Sequence, residues 1–161
     1  MKILVLSDSH GYLNHIDSAI SIEKPDHVIH LGDHSADADR ISVKYPYLPV
    51  VSVKGNCDFY DLITPELAIL EYSGVRVMAV HGHSYNVKNS PLRLYMAAKE
   101  KAVHVALFGH THCAFCEKKD NIWLLNPGTC GINSKGTYGI IHVHGGNVTC
   151  SIKTTEEEQH L

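Results

Sequence analysis

Five times along this chain a short apolar run breaks off into a loop that sets glycine beside an aspartate, an asparagine or a histidine. The loops are Asp8-Ser9-His10-Gly11, Gly32-Asp33, Gly55-Asn56, His81-Gly82 and Gly109-His110-Thr111-His112. An apolar run bounded by turn residues reads as a buried strand. Residues 2–7, 27–31 and 49–53 are three such runs, and helical stretches separate them. From Tyr12 to Glu23 the apolar residues Leu13, Ile16, Ala19 and Ile20 recur at helical spacing, and Pro25 stops that helix. Ala36 to Val43 predicts a second helix. Strands alternating with helices imply parallel pairing through right-handed crossovers. The three polar loops then share one edge, the carboxyl ends of the strands, where open α/β sheets bind ligands.

The second half is richer in strands and predicts more antiparallel pairing. Glu66–Tyr72 and Val75–Val80 flank Ser73-Gly74, a hairpin signal. Leu92–Lys101 reads as a helix and Val103–Phe108 as a strand. Further strands are expected near Ala114–Lys118, Ile122–Leu125, Thr137–His142 and Asn147–Ile152. With 161 residues, no linker and no repeat, the chain is expected to form a single domain over 1–161, with an acidic tail frayed from about Thr154.

A formal net charge of −3 argues against a long nucleic acid as partner, because nothing would neutralise its phosphates over a wide face. A metal pocket could still bind one anionic group locally. The opening apolar run, Ile3 to Leu6, is too short for a signal-peptide core, and no later run is long enough to span a membrane. A cytoplasmic location is expected. The cysteines are five, an odd number, which speaks against a disulfide framework.

Histidine is the unusual residue, at thirteen against three phenylalanines. Six of the thirteen fall in His81-Gly82-His83, His110-Thr111-His112 and His142-Val143-His144. Taken singly, each polar loop has an ordinary explanation. Asp8 could cap a helix, Asp33 and Asn56-Cys57-Asp58 could shape turns, and His81 or His110 could be satisfied core histidines. Taken together, five such loops at one sheet edge are hard to explain by capping, which has no use for paired histidines. Glycine lets the backbone approach an ion closely. Carboxylate, imidazole and amide oxygen suit mid-series divalent metals. His142-Val143-His144 lacks that context and reads as the alternating face of a strand. Cys113-x-x-Cys116 also reads as strand, whose residues three apart face opposite ways, so it is expected to be two unrelated cysteines.

The ordered set Asp-x-His, Gly-Asp, Gly-Asn-x-Asp, His-Gly-His and Gly-His-x-His resembles the calcineurin-like metallophosphoesterase family. The match runs from Asp8 to His112 and on to Asn126-Pro127-Gly128-Thr129, which looks like the compact bacterial and archaeal phosphodiesterase branch. The resemblance implies an α/β fold of two stacked mixed β-sheets flanked by helices. It implies two divalent metal ions: Asp8, His10 and His112 on the first, Asn56, His81 and His110 on the second, and Asp33 bridging both. A carboxylate has two oxygens and can link two cations, which an imidazole cannot. Such ions sit about 3.5–4 Å apart, and a hydroxide between them attacks phosphorus in line. Manganese fits the donors, with zinc, iron or nickel as alternatives.

One position departs from the family's commoner pattern. Many members carry histidine after the asparagine, assigned to the leaving group or to phosphate binding. Here it is Cys57, a weaker donor and acid. His34, directly after Asp33, is a second candidate for that role, and Asp58 either orients groups in the loop or shapes the turn. The expected activity is hydrolysis of small phosphodiesters. Rival readings are a phosphomonoesterase or nuclease on the same site, and a non-catalytic scaffold of the same fold, which would require eroded ligands or a large exposed apolar patch. The sequence leaves the physiological substrate and the oligomeric state, homo-oligomers included, open.

Overall fold

A computed structural model describes residues 1–155. The first half folds as the apolar pattern requires. Strand β1 (Lys2–Leu6) leads to helix α1 (Asn14–Glu23), β2 (His27–His30), α2 (Ala36–Lys44) and β3 (Val50–Ser52). The second half runs β4 (Leu67–Tyr72), β5 (Val75–Val80), a 3-10 turn at His83–Tyr85, α3 (Leu92–Glu100), β6 (Val105–Leu107), β7 (Phe115–Lys119) and β8 (Ile122–Asn126). It closes with β9 (Thr137–His144) and β10 (Asn147–Thr154). Thr154 therefore ends a strand instead of beginning a frayed tail, and residues 156–161 lie outside the described residues.

Two five-stranded sheets result, in the orders β10-β9-β1-β2-β3 and β4-β5-β6-β8-β7. The first half of the chain pairs in parallel and the second half more often antiparallel, through β4-β5, β7-β8 and β9-β10, as the patterning predicts. Each sheet has a parallel centre, β1-β2-β3 in one and β5-β6-β8 in the other, with antiparallel strands added at the edges. The antiparallel edge of the first sheet comes from the end of the chain, where β9 pairs with β1. That pairing joins residues more than a hundred positions apart, so local patterning carries no trace of it.

Alternation along the strands sorts the core into layers. Ile3 and Val5 of β1 face Val77, Ala79, Val105 and Leu107 of the opposite sheet. Leu4 and Leu6 turn the other way, onto Ile16, Ala19 and Ile41 of the first two helices. Met78 and Val80 likewise meet Leu94 and Ala98 of α3. Strands buried on both faces need unbroken apolar runs, which is how β1 reads in sequence. Each fully buried Leu, Ile or Val contributes roughly 1.5–3 kcal/mol relative to exposure. The hairpin signal is borne out: Tyr72 pairs with Val75 around Ser73 and Gly74, both at positive φ. His142 and His144 are exposed on either side of buried Val143, the alternation expected of a strand face. Among the described residues no helix is long and apolar enough to cross a membrane.

Because β1, β2, β3, β5, β6 and β8 all run the same way within their sheets, their carboxyl ends carry every polar loop singled out in the sequence. Stacking the sheets brings the two sets of loops together.

Candidate metal centre

The buried ends of β1 and β2 deliver Asp8 and Asp33, both almost wholly out of solvent. His81, after β5, is equally buried. Its Nε2 lies 3.3 Å from Asp33 Oδ1, 3.9 Å from Asp8 Oδ1 and 3.1 Å from Asn56 Oδ1. His112 Nε2 stands 3.1 Å from Asp8 Oδ1, and His10 Nε2 stands 4.0 Å from Asp33 Oδ2. The ligand atoms of Asp8, His10, Asp33 and His112 all fall within 4.8 Å of one another, and so do those of Asp33, His81 and His110. Two clusters therefore form, and Asp33 belongs to both. All seven residues read from the sequence as ligands converge here.

The arrangement fits divalent cations on grounds independent of the sequence. Asp8 Oδ1 is buried and has no hydrogen-bond partner among the described residues. A buried carboxylate oxygen left bare costs roughly 1–3 kcal/mol or more, and a cation would satisfy it. The other oxygen is held by Ser7 Oγ at 2.6 Å and the His110 amide at 3.1 Å, which aims Oδ1 at the cluster. His81 donates Nδ1–H to the Leu31 carbonyl at 2.7 Å. That bond leaves Nε2 facing three oxygens, the usual way a supporting acceptor orients a metal-binding imidazole.

The electrostatics agree. Burial raises the Asp8 carboxyl, against the opposing pull of Ser7, His81 and His112. Burial acts the same way on Asp33, but hydrogen bonds from His81 and the Cys57 amide outweigh it and hold that carboxyl well below its usual range. For His81, burial disfavours the imidazolium, yet the bond to Asp33 and the charges of Asp8 and Asp33 raise its pKa overall. Burial and the neighbouring His81 and Lys88 push His110 down to about 4, so it is a neutral nitrogen donor at physiological pH.

The backbone is strained where the ligands sit. Asp8, His10, Asp33, His34, His110 and His112 all have φ between +48° and +90°. Such conformations cost on the order of 1–3 kcal/mol each and persist when the surroundings over-determine them. The surroundings here are tight. A Cβ at Gly55 would stand 2.1 Å from Asp33 Oδ1, and one at Gly109 would stand 2.0 Å from Ser7 Oγ. Asp8 caps no helix; α1 starts at Asn14 without a side-chain cap.

The residues read as catalytic candidates divide. Cys57 is exposed beside Asp33, whose Oδ1 accepts its amide at 3.0 Å. What burial it has, together with Asp33, raises the thiol, so it stays protonated at neutral pH. His34 is half-buried with Nδ1 3.0 Å from Asp37 Oδ1. Asp58, read as orienting groups in its loop or shaping the turn, is a clamp on the backbone. Its carboxylate accepts the amides of Asp33, His34, Ser35 and Gly55 at 2.7–3.0 Å, leaving no oxygen for chemistry. Cys113 and Cys116 do not share a strand, since only Cys116 lies in β7; all five cysteines are free thiols.

Two supporting residues, Asp37 and His30, escape a reading of the sequence. Asp37, wholly buried in α2, accepts Ser9 Oγ at 2.6 Å and the Gly11 amide at 2.9 Å. Ser9 in turn meets buried His30 Nε2 at 2.9 Å, and His30 Nδ1 accepts the Gly32 amide at 3.2 Å. This chain ties the Asp8–His10 loop to the Asp33 loop. Asn126 is buried and holds Gly109 O and Thr111 Oγ1, while Thr129 Oγ1 donates to the Asp8 carbonyl. The Asn126-to-Thr129 motif thus buttresses the metal loops from behind.

A layered fold with paired parallel centres and a candidate metal-binding cluster at their common edge fits a metal-dependent phosphoesterase. The family model for the calcineurin-like phosphoesterase superfamily domain matches residues 1–146, and the chain belongs to that family. A probable metallophosphoesterase of Bacillus subtilis, YsnB, is 33% identical over 132 residues, covering 80% of this chain and 75% of that protein. A solved archaeal phosphodiesterase is 26% identical with a TM-score of 0.71, covering 95% of this chain and all of that one. Vps29 of Entamoeba histolytica, solved with zinc, shares the fold at 18% identity and a TM-score of 0.74, over 97% of this chain and all of that one.

Proposed function

We propose that this chain is a metal-dependent phosphodiesterase that uses two divalent ions on small phosphodiesters in the cytoplasm. The observation that carries the reading is the pair of ligand clusters joined through the single carboxylate of Asp33. Asp8, His10, Asp33 and His112 would hold one ion, and Asp33, Asn56, His81 and His110 the other. Ions bound there would supply positive charge for phosphoryl oxygens and make water a nucleophile near neutral pH. The oxygen-and-nitrogen donor set favours manganese, with zinc, iron and nickel as competitors.

The chain's own groups do the rest. The Leu31 carbonyl fixes the ring of His81, and Ser7 aims Asp8. Cys57 and His34 follow Asn56 and Asp33 in the chain, line one cavity, and are the candidates to serve a departing alkoxide. The thiol of Cys57, raised by burial and by Asp33, is a weak acid, which favours diesters and good leaving groups. The name of the archaeal relative supports the same activity. The convergence of the candidate ligands around Asp33 supports catalysis over a non-catalytic scaffold of the same fold. The net charge of −3 favours small substrates over long nucleic acids.

The test compares nitrophenyl mono- and diesters with manganese-loaded and chelator-stripped protein. Diester hydrolysis that appears on loading and exceeds monoester hydrolysis is expected. A loaded protein that cleaves only the monoester would overturn the assignment.

A further inference from the structure

Directly after the metal loop, the chain turns four large apolar side chains outward in five residues. Phe59 is 79% exposed, Tyr60 98%, Leu62 88% and Ile63 95%. Scattered exposed apolar residues are ordinary, but a contiguous group beside a binding site marks an interaction surface. The segment is tied down at both ends. Asp58 takes four backbone amides from the Asp33 and Gly55 loops. Asp61 accepts Ser35 Oγ at 2.5 Å and the amides of Ile63 and Thr64 at 3.0 and 2.8 Å. The apolar side chains are therefore presented by a braced turn.

Between this turn and the start of α2 lies a cavity of about 550 Å³. His34 and Cys57, the chain neighbours of candidate ligands Asp33 and Asn56, line it together with Phe59, Tyr60 and Ile63. Leu62 does not line it. The carboxylates of Asp58 and Asp61 are spent on backbone amides and on the Ser35 hydroxyl, and Asp39 adds a charge to the lining. Such a wall disfavours a second phosphate and suits a flat, uncharged group.

We propose that Phe59, Tyr60 and Ile63 form a subsite for a planar aromatic group, a nucleobase or an aryl ring, carried by the phosphoester. The proposal builds on the metallophosphodiesterase reading and adds the chemistry of the group flanking phosphorus. Aromatic side chains stack on any planar ring, and loss of one such contact weakens binding by roughly 5- to 100-fold.

The test measures binding, so that it does not depend on turnover. Manganese-loaded protein is titrated calorimetrically with methylphosphonate, phenylphosphonate and an acyclic adenine phosphonate, whose carbon–phosphorus bonds resist hydrolysis. The aromatic phosphonates are expected to bind at least fivefold more tightly than methylphosphonate. Phe59→Ala combined with Tyr60→Ala should erase that preference, while Leu62→Ala keeps it. The better of phenyl and adenine identifies the aromatic class. Equal affinities in the wild type refute the subsite and leave the metallophosphodiesterase reading standing. If no phosphonate binds, both fail. If the preference holds but no diester is hydrolysed, the subsite stands and the catalytic reading falls. An unchanged preference in the double variant, with a dimer lost on sedimentation, makes the segment an interface between copies and overturns the proposal.

Discussion

Asp58 is the most informative residue to change, because two accounts of it predict different things. As a catalytic carboxylate, it would alter rate when replaced and leave the fold alone. As a clamp, it holds the strained backbone at Asp33 and His34. Its Oδ2 accepts Gly55 and Asp33 amides at 2.7 and 3.0 Å, and its Oδ1 accepts His34 and Ser35 amides at 2.8 and 2.7 Å. Hydrogen bonds to a charged group contribute roughly 1.5–3 kcal/mol each, so four would reach about 6–12 kcal/mol if additive. The loop is half-exposed, and water would replace part of that, which brings the expected loss for Asp58→Ala to about 2–4 kcal/mol. Asp58→Asn is the sharper variant. It keeps two accepting interactions and turns an NH₂ group toward the other two amides, so it should be nearly as destabilising as alanine. Urea unfolding of the metal-free protein gives the stability, and calorimetric titration with manganese gives the site affinities. Both should fall together, because the clamp sets the backbone that carries the shared ligand. An Asp58→Asn protein with unchanged midpoint and metal affinity, but reduced turnover, would refute the clamp.

Three further outcomes are expected. Elemental analysis of loaded protein should find two divalent ions per chain; Asp33→Ala should weaken both sites and His10→Ala chiefly one, and equal losses at both sites in both variants would contradict the shared carboxylate. Cys57→His should raise the rate on alkyl esters relative to nitrophenyl esters by up to the roughly 10²–10⁴-fold typical of general acid help, with metal content unchanged, and a constant ratio would show that residue 57 does not serve the leaving group. His30 is fully buried, and burial lowers its pKa to about 4. A folded-state pKa below the unfolded value near 6.5 means that protonation favours unfolding, so stability is complete above about pH 6.5 and falls by up to about 3 kcal/mol toward pH 4. Urea midpoints of metal-free wild type and His30→Gln at pH 7 and 4.5 check this, since the variant should lose less.

What the residues determined by themselves is the kind of chemistry and the edge at which it happens. An apolar run that must be buried on both faces becomes a central strand, and a glycine beside Asp8, Asp33 or His110 turns the chain as soon as that strand ends. The type and position of candidate ligands are thus local properties, and all seven candidates stand in loops that each follow a strand. Tertiary structure alone decided how those loops meet. The pairing of β9 with β1 and the second parallel centre of β5, β6 and β8 rest on contacts remote in sequence, which local patterning does not carry. Asp37 and Asp58 look like ordinary helix and turn acids, and only packing shows which amides they hold. The same holds for Phe59 to Ile63, whose composition suggests burial. Their exposure follows from the bracing of Asp58 and Asp61, which fixes the direction of the turn before any side chain can reach a core.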